Sequence, residues 1–260
     1  MEEPGIQVGA KTRAIVLLIA GVVVALAFGS AAHATRQTKR ATRVAIVTGE
    51  DTYRGHLWKD TSAELKTILE AGKPDFDFEV TIEDDPNFLA TPEIFKYDVL
   101  VFDFRNAEPL AQDEKDKANL LKFLGKGKGL VTTHWANDAF PYWPEYNNIV
   151  GRSQQLHHDK RGPFTVKIVD HDSPITKGMA DFQTDDELYY DNKDGSIPVQ
   201  ILATAHSNVK DDDFPMALTV HYKKGRVFNT PLGHDVKALQ VPQVGELIRR
   251  GTAWAAGTLM

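Results

Sequence analysis

The heptapeptide GLVTTHW, residues 129–135, is a short apolar run that ends on a histidine and a tryptophan. The β-branched residues from Val131 to Thr133 predict a short buried strand. In open parallel sheets, ligands bind outside the carboxyl ends of the strands. If the neighbouring strands are parallel to this one, His134 therefore lies at the edge of the sheet where a site is expected.

Other strands with the same apolar character precede this one. They are predicted at residues 43–49 (RVAIVTG), 77–82 and 97–104 (YDVLVFDF), and the last is apolar enough to be buried on both faces. Helical spacing of apolar residues predicts helices at 56–71 and 111–124. This alternation of strands and helices predicts an α/β fold with a doubly wound, mainly parallel sheet and helices on both faces.

The pattern changes after Trp135. Residues 136–162 are rich in aromatic residues, histidine and asparagine without a clear period, and so long a segment inside a compact domain is typical of a functional loop. Further strands are predicted at 164–169, 200–205, 217–221 and 226–229. A helix at 241–256 closes the chain.

The first 34 residues differ from the rest. Lys11 and Arg13 precede an apolar run at 14–28, and the small residues of an AHA motif end at Ala34. This order is typical of a secretory signal peptide, so we expect residues 1–34 to be cleaved and the domain to be exported, either to the periplasm or out of the cell. The alternative is an uncleaved anchor at residues 14–34, which is the only membrane contact that we expect.

Composition excludes several functions. The net charge is −6 and the pI is about 5.8, which argues against nucleic acid as a partner. The chain has no cysteine, which excludes disulfides, thiolate metal sites, lipoprotein acylation and a cysteine nucleophile. The sequence indicates neither a nucleotide cofactor nor an oligomeric state.

Histidines and acidic residues follow several of the predicted strands. His56 comes after the first strand, His134 after the fourth and His234 after the last, while Glu187 lies in the acidic run DDELYY at 185–190. Imidazole and carboxylate together suit Zn, Mn or Co, although their spacing matches no compact metal motif. A single histidine at a strand end is more often a hydrogen-bonded structural group, and this alternative remains open for each of them.

Two other sets of residues are candidates for the same cleft. Of the adjacent pair His157-His158, one member is expected to face the cleft because neighbouring strand residues point to opposite sides. We favour His158. The predicted sugar-binding residues combine aromatic rings with polar groups and are Trp135, Tyr142, Trp143, Arg105 and Asn106. Alternatively, the aromatic residues are core, and the histidine pair and the acidic run are a solvated loop and an acidic turn.

Several segments together resemble the ThuA-like (trehalose-utilisation) family, and the resemblance covers residues 43–257. They are VTGEDTYRGHLWKDT (47–61), GKGLVTTHWANDAFPYWPEYNNIVG (127–151), LHHDKRGPFTVKIVDHDSPITKGM (156–179), FQTDDELYY (182–190) and KGRVFNTPLGHD (224–235). The six-residue turn at 50–55 is longer than family members often have, which leaves open whether His56 reaches the cleft.

The resemblance implies a flavodoxin-like fold similar to that of class I glutamine amidotransferases. It also implies that His134 occupies the position of their nucleophilic cysteine and His234 that of their catalytic histidine. A cysteine-dependent amidotransferase reaction is therefore impossible, but two facing histidines can hold a metal or act as acid and base. The family is associated with trehalose, related disaccharides and 3-keto sugars.

These observations predict a function in carbohydrate metabolism. The favoured hypothesis is a metal-assisted hydrolase or lyase that acts on a glycoside or 3-keto-glycoside. In it His134, His234 and Glu187 are catalytic, and His56, His134, His158, Glu187 and His234 are candidate metal ligands. A sugar-binding protein without turnover is the first alternative, and a structural or partner-binding exported domain is the second.

Overall fold

The computed structural model describes residues 40–49, 56–106, 108–153 and 157–260, together with Met1. Apart from Met1, the predicted signal peptide lies outside the described residues, as does the turn at 50–55. Within the described part of the chain, no helix is both long enough and apolar enough to cross a membrane.

The described strands and helices follow one another from Thr42 to Ala255. The strands are β1 (Thr42–Val47), β2 (Phe78–Glu83), β3 (Val99–Phe102), β4 (Gly129–Thr133), β5 (Arg152–Ser153), β6 (Gly162–Ile168), β7 (Phe182–Asp186), β8 (Lys193–Asp194), β9 (Val199–Ser207), β10 (Asp212–Tyr222) and β11 (Gly225–Thr230). The α-helices are α1 (Trp58–Glu70), α2 (Asp113–Gly125), α3 (Pro144–Val150), α4 (Val236–Leu239) and α5 (Pro242–Ala255). Short 3-10 helices lie at Pro86–Ala90, Pro92–Lys96 and His134–Asp138.

Nine of these strands form one sheet in the order β2-β1-β3-β4-β11-β10-β9-β6-β7. The pairs from β2 to β11 are parallel, so the predicted α/β fold is confirmed and the strands at 43–49, 97–104 and 129–133 are adjacent and parallel as expected. The pairs from β11 to β7 are antiparallel. Residues 223–224 are the whole connection between β10 and β11, which is too short for a helical crossover and permits only an antiparallel pair.

Helices cover both faces of the parallel strands, as predicted. Alternate residues of β1 and β3, such as Val44 and Val101, join a buried cluster with α1 and α5. Their neighbours, such as Val47 and Phe102, join a second cluster with α2 and α3. A strand that is apolar on both sides can be buried on both sides, so these strands lie in the middle layer of the fold.

The sequence missed or misplaced some elements. Helix α1 begins at Trp58, not at the predicted residue 56, which leaves His56 in the loop before it. Residues 136–162 were expected to be one irregular segment, but they contain α3 and β5. Strand β7 was not predicted because two of its three inward residues, Thr184 and Asp186, are polar and hide the alternation.

Asp116 is a buried carboxyl group in the first turns of α2. It is fully buried, and neither carboxyl oxygen has a hydrogen-bond partner in the described part of the chain. Burial, followed by the negative charge of Asp113, raises its pKa from 3.8 to about 7. The folded protein therefore holds this proton more tightly than the unfolded chain does, and the free energy of unfolding should fall as the pH rises from about 4 to 7.

Replacing Asp116 by asparagine should remove that loss. We expect the variant to be more stable than the wild type at pH 8 by about 1–2 kcal/mol, because only the wild type then carries a buried, unpaired negative charge. The two proteins should have similar stability at pH 3.5. Urea unfolding at both pH values measures this difference, and parallel pH profiles for the two proteins would contradict the assignment.

Candidate metal centre

The register of the parallel strands brings their carboxyl ends together. Val47 pairs with Phe102 across β1 and β3, Phe102 with Thr132 across β3 and β4, and Thr133 with Thr230 across β4 and β11. The residues that follow these strands therefore lie at one edge of the sheet. The hydroxyl of Thr48 donates to the carbonyl of Asp103 at this edge, with a distance of 2.9 Å.

His134 follows β4 directly, and its backbone is in the left-handed region with φ of 48°. A non-glycine residue rarely adopts this conformation, which costs about 1–3 kcal/mol and concentrates at functional sites. The turn directs a fully buried imidazole back over the strand ends. Its Nδ1 lies 3.1 Å from the carbonyl oxygen of Pro231, which can only accept, so Nδ1 carries the hydrogen and Nε2 has a free lone pair.

Three further side chains meet His134 Nε2. His56 Nε2 lies at 2.9 Å, His234 Nδ1 at 3.3 Å and Glu187 Oε2 at 3.6 Å. His234 Nδ1 is also 3.3 Å from Glu187 Oε2. We call these four residues the quartet; one ligand atom from each lies within 4.8 Å of all the others. The imidazoles of His134 and His234 thus share one site, as facing histidines at two strand ends should.

These separations fit the coordination of one metal ion. Two ligand atoms placed tetrahedrally at about 2.1 Å from a shared metal lie about 3.4 Å apart. Three imidazoles and one carboxylate are also a donor set that suits Zn, Mn or Co. Small side-chain movements would bring the quartet to that geometry, so its residues fit a divalent transition metal.

Asp186 fixes the loop that carries His234. It is buried, and its carboxylate accepts from the backbone N–H groups of Gly233 at 2.7 Å, His234 at 3.2 Å and Glu187 at 2.8 Å. One side chain thus holds two members of the quartet in register. Gly233 has φ of 112°, a conformation that favours glycine, and it allows the loop to turn towards Asp186.

His56 reaches the quartet despite the long turn before it. Its ring stacks on Trp135 with 4.1 Å between ring centroids. Trp135 donates a side-chain hydrogen bond to the buried carboxylate of Asp103, which also accepts from Thr61 in α1 at 2.8 Å. His56 Nδ1 is buried without a hydrogen-bond partner among the described residues, so its orientation depends on this stack and on Nε2.

Burial and proximity change how the quartet titrates. Burial lowers the pKa of His56 to about 4 and, with the nearby His56 and His234, holds the pKa of His134 well below its usual value. Burial opposes ionisation of Glu187, but the hydrogen bond with His234 and the nearby charges of His134, His234 and His158 together outweigh it, and the pKa falls to about 2. The same hydrogen bond raises the pKa of His234. Two neutral imidazoles and an ionised carboxylate are the states that metal ligands require.

His158 and Tyr189 border the quartet on the Glu187 side. An isolated β-bridge joins these two residues, and His158 Nε2 lies 3.9 Å from Glu187 Oε2. His158 therefore lies at the edge of the site and outside the quartet, and its role as a metal ligand stays a prediction. His157 is exposed and lies 4.0 Å from Asp191 instead.

The Tyr189 hydroxyl donates to Glu187 Oε2 at 3.0 Å and lies 3.2 Å from His134 Nε2. Replacing Tyr189 by phenylalanine should weaken metal binding by about 10-fold, because hydrogen bonds to ligands orient them. A competitive titration with a chromophoric chelator measures this change. Tyr142→Phe is the control, since its hydroxyl donates to the carbonyl of Asn106, and equal affinities in both variants would exclude a positioning role for Tyr189.

The predicted sugar-binding residues lie in different surroundings. Trp135 is 3% exposed, so it supports His56 and is not an open platform. Trp143 is partly buried, and its ring packs on Phe140 and Tyr146 beside the second cluster. Its role in sugar binding stays a prediction.

For Arg105, Tyr142 and Asn106, a role in sugar binding stays a prediction. Arg105 is buried in an ion pair with Asp138 at 2.8 Å, and its charge is felt at His56. Tyr142 remains exposed, and the buried amide of Asn106 has no hydrogen-bond partner among the described residues.

Comparison with known proteins decides the family. The sequence model described as trehalose utilisation (ThuA) matches residues 43–255. The chain belongs to the ThuA family. No functionally curated protein matches the sequence. Membership of this family supports the association with carbohydrate metabolism and the fold that the sequence motifs predict.

Solved structures agree with this assignment. A ThuA-like protein from Parabacteroides merdae is 25% identical, with a TM-score of 0.72 over 85% of this chain and 92% of that one. A ThuA-like protein from Bacteroides uniformis is 18% identical, with a TM-score of 0.64 over 84% and 93% of the two chains. A GMP synthase subunit from Thermoplasma acidophilum is 12% identical, with a TM-score of 0.50 over 85% and 96%. The last two likenesses show the fold alone.

Proposed function

We propose that this ThuA protein is a metal-dependent hydrolase or lyase that acts on a glycoside or 3-keto-glycoside, and that its domain is exported. The observation that carries the catalytic proposal is the quartet: three imidazoles and a carboxylate from four separate segments meet at the carboxyl edge of a parallel sheet. A purely structural role requires no such convergence. The hydrophobic N-terminal segment supports the export proposal.

The side chains around the quartet suggest which residues take part in the reaction and which position the metal ligands. A divalent metal bound there would polarise a sugar oxygen or lower the pKa of a water molecule. His158 Nδ1 lies 2.8 Å from the carbonyl oxygen of Asp159, so Nδ1 carries the hydrogen and Nε2 can accept a proton at the edge of the site. Tyr189 holds Glu187, Asp186 holds the His234 loop, and Trp135 holds His56.

A 3-keto sugar suits this arrangement chemically. Its carbonyl acidifies the neighbouring C–H, so a base beside a polarised carbonyl oxygen can remove that proton and start elimination of the glycosidic group. We propose His158 as that base. The cysteine-free site offers no thiolate nucleophile, so an acyl-transfer route of the amidotransferase type is not available.

Turnover tests the proposal. The full chain, loaded separately with zinc, manganese and cobalt, should release glucose from 3-keto-trehalose, and a His158→Gln variant should keep its metal but lose most of the rate. His157→Gln is the matched control because the neighbouring ring points away from the quartet. Metal binding without turnover of any 3-keto-glycoside would refute the enzymatic role and favour a sugar-binding protein.

A further inference from the structure

A cavity of about 330 Å³ opens beside the quartet on the side of His234. Its walls come from the first turn of α1, from Arg161 and from α4; they include Leu57, Asp60, Arg161, His234, Val236 and Lys237. The volume lies at the lower end of the ~300–1,000 Å³ range of small-molecule pockets. It therefore suits a ligand unit about the size of one ring, placed next to His234.

Both cationic side chains of this cavity, Arg161 and Lys237, form ion pairs with carboxylates. Arg161 holds Asp235 through both terminal nitrogens, one of them at 3.2 Å. Lys237 Nζ lies 2.8 Å from Asp185. Asp235 in turn caps α4 by accepting from the backbone N–H of Ala238 at 2.9 Å. A phosphate or carboxylate entering here would compete with these carboxylates for both cations.

Asp60 makes the cavity favour neutral ligands with hydroxyl groups over anions. It lies exposed in the first turn of α1, and none of the described residues donates a hydrogen bond to its carboxylate. An ionised carboxylate accepts hydrogen bonds and donates none, so it favours hydroxyl groups and repels anions. Leu57, which is 62% exposed, and Val236 add apolar surface beside it.

We infer that this cavity binds a neutral, polyhydroxylated ring, with Asp60 accepting from its hydroxyls and Leu57 and Val236 contacting its C–H faces. The inference rests on the proposed function, because it places the bound ring next to the quartet. Among the lining residues described above, His234 is the one that also belongs to the quartet. It adds a subsite and a specificity residue: Asp60 selects neutral sugars and excludes phosphorylated or acidic ones.

Calorimetric titration of the full chain tests the inference with four probes. They are trehalose and 3-keto-trehalose, which are neutral, and glucose 6-phosphate and glucuronate, which are anionic. Asp60→Ala should weaken binding of the neutral sugars by about 10-fold, the lower end of the effect expected for a hydrogen bond to a charged group. Glu70→Ala is the matched control, because Glu70 lies in the last turn of the same helix and pairs only with Lys66 among the described residues.

A variant with the opposite charge at position 60 should reverse the ligand preference. Asp60→Lys should abolish binding of the neutral sugars and improve binding of glucose 6-phosphate. Tighter wild-type binding of either anionic probe, no binding of either neutral probe, or equal affinities in the Asp60→Ala and Glu70→Ala proteins would overturn the inference. Zinc titration of the same samples separates this failure from failure of the metal site, since Asp60 is outside the quartet and its variants should bind zinc normally.

Discussion

Replacing His234 by alanine should lower metal affinity at least about 100-fold, beyond the 10–100-fold effect usual for residues that only support a ligand. His234 Nδ1 lies 3.3 Å from both His134 Nε2 and Glu187 Oε2, so its loss removes one donor and leaves the rest of the quartet unable to close around an ion. Turnover should be abolished with it.

The fold should survive this change. The His234 side chain lies at the wall of a cavity and buries little apolar area, so we expect a loss of about 1 kcal/mol or less in the free energy of unfolding. His206→Ala is the control, since that histidine is exposed and lies beside Asp211 and Asp213, away from the quartet. An unfolded His234→Ala protein, or one with unchanged metal affinity, would return His234 to a structural role.

Replacing Asp186 by alanine should have the largest effect on stability among these changes. The substitution leaves the backbone N–H groups of Gly233, His234 and Glu187 without their shared acceptor. An unsatisfied buried donor costs about 1–3 kcal/mol, and at least Gly233 is buried, so we expect a loss of about 3–4 kcal/mol. Metal binding should weaken as well because two quartet residues lose their position.

The neighbouring Asp185 provides a control for that experiment. It carries the same charge on the same strand but is only half-buried, and it pairs with Lys237 and Arg161. Asp185→Ala should therefore leave stability and metal affinity nearly unchanged. Urea unfolding and chelator competition measure both properties. Equal losses in the two variants would show that Asp186 contributes only its charge.

The parallel half of the fold could be predicted because its strands are apolar on both faces and helices connect them. RVAIVTG has four consecutive apolar residues, and the β-branched residues of GLVTTHW are typical of a buried strand. The antiparallel half was harder to predict. Its strands mix inward polar residues with outward apolar ones, as Asp186 and Ile201 illustrate, so local alternation does not reveal which face is buried.

The residues of the candidate site also differ in how well the sequence predicts them. His134 and His234 were predictable because both follow apolar strands whose ends must meet at one edge. Asp186 and Tyr189 were not singled out, although they flank Glu187 in the run DDELYY, because the sequence does not show which members of an acidic run are buried. The sequence does not settle the role of Trp143, because an aromatic residue near a site looks the same in sequence whether it lines a cleft or packs in the core.

Metal stoichiometry tests the central claim most directly. The full chain should be stripped with a chelator, titrated with zinc, manganese and cobalt in turn, and examined by elemental analysis after removal of free metal. We predict one tightly bound ion per chain for at least one of these metals, and its loss in both His134→Ala and Glu187→Gln proteins. A wild-type chain that retains none of the three metals, or two folded variants that bind as tightly as the wild type, would contradict a metal centre at the quartet.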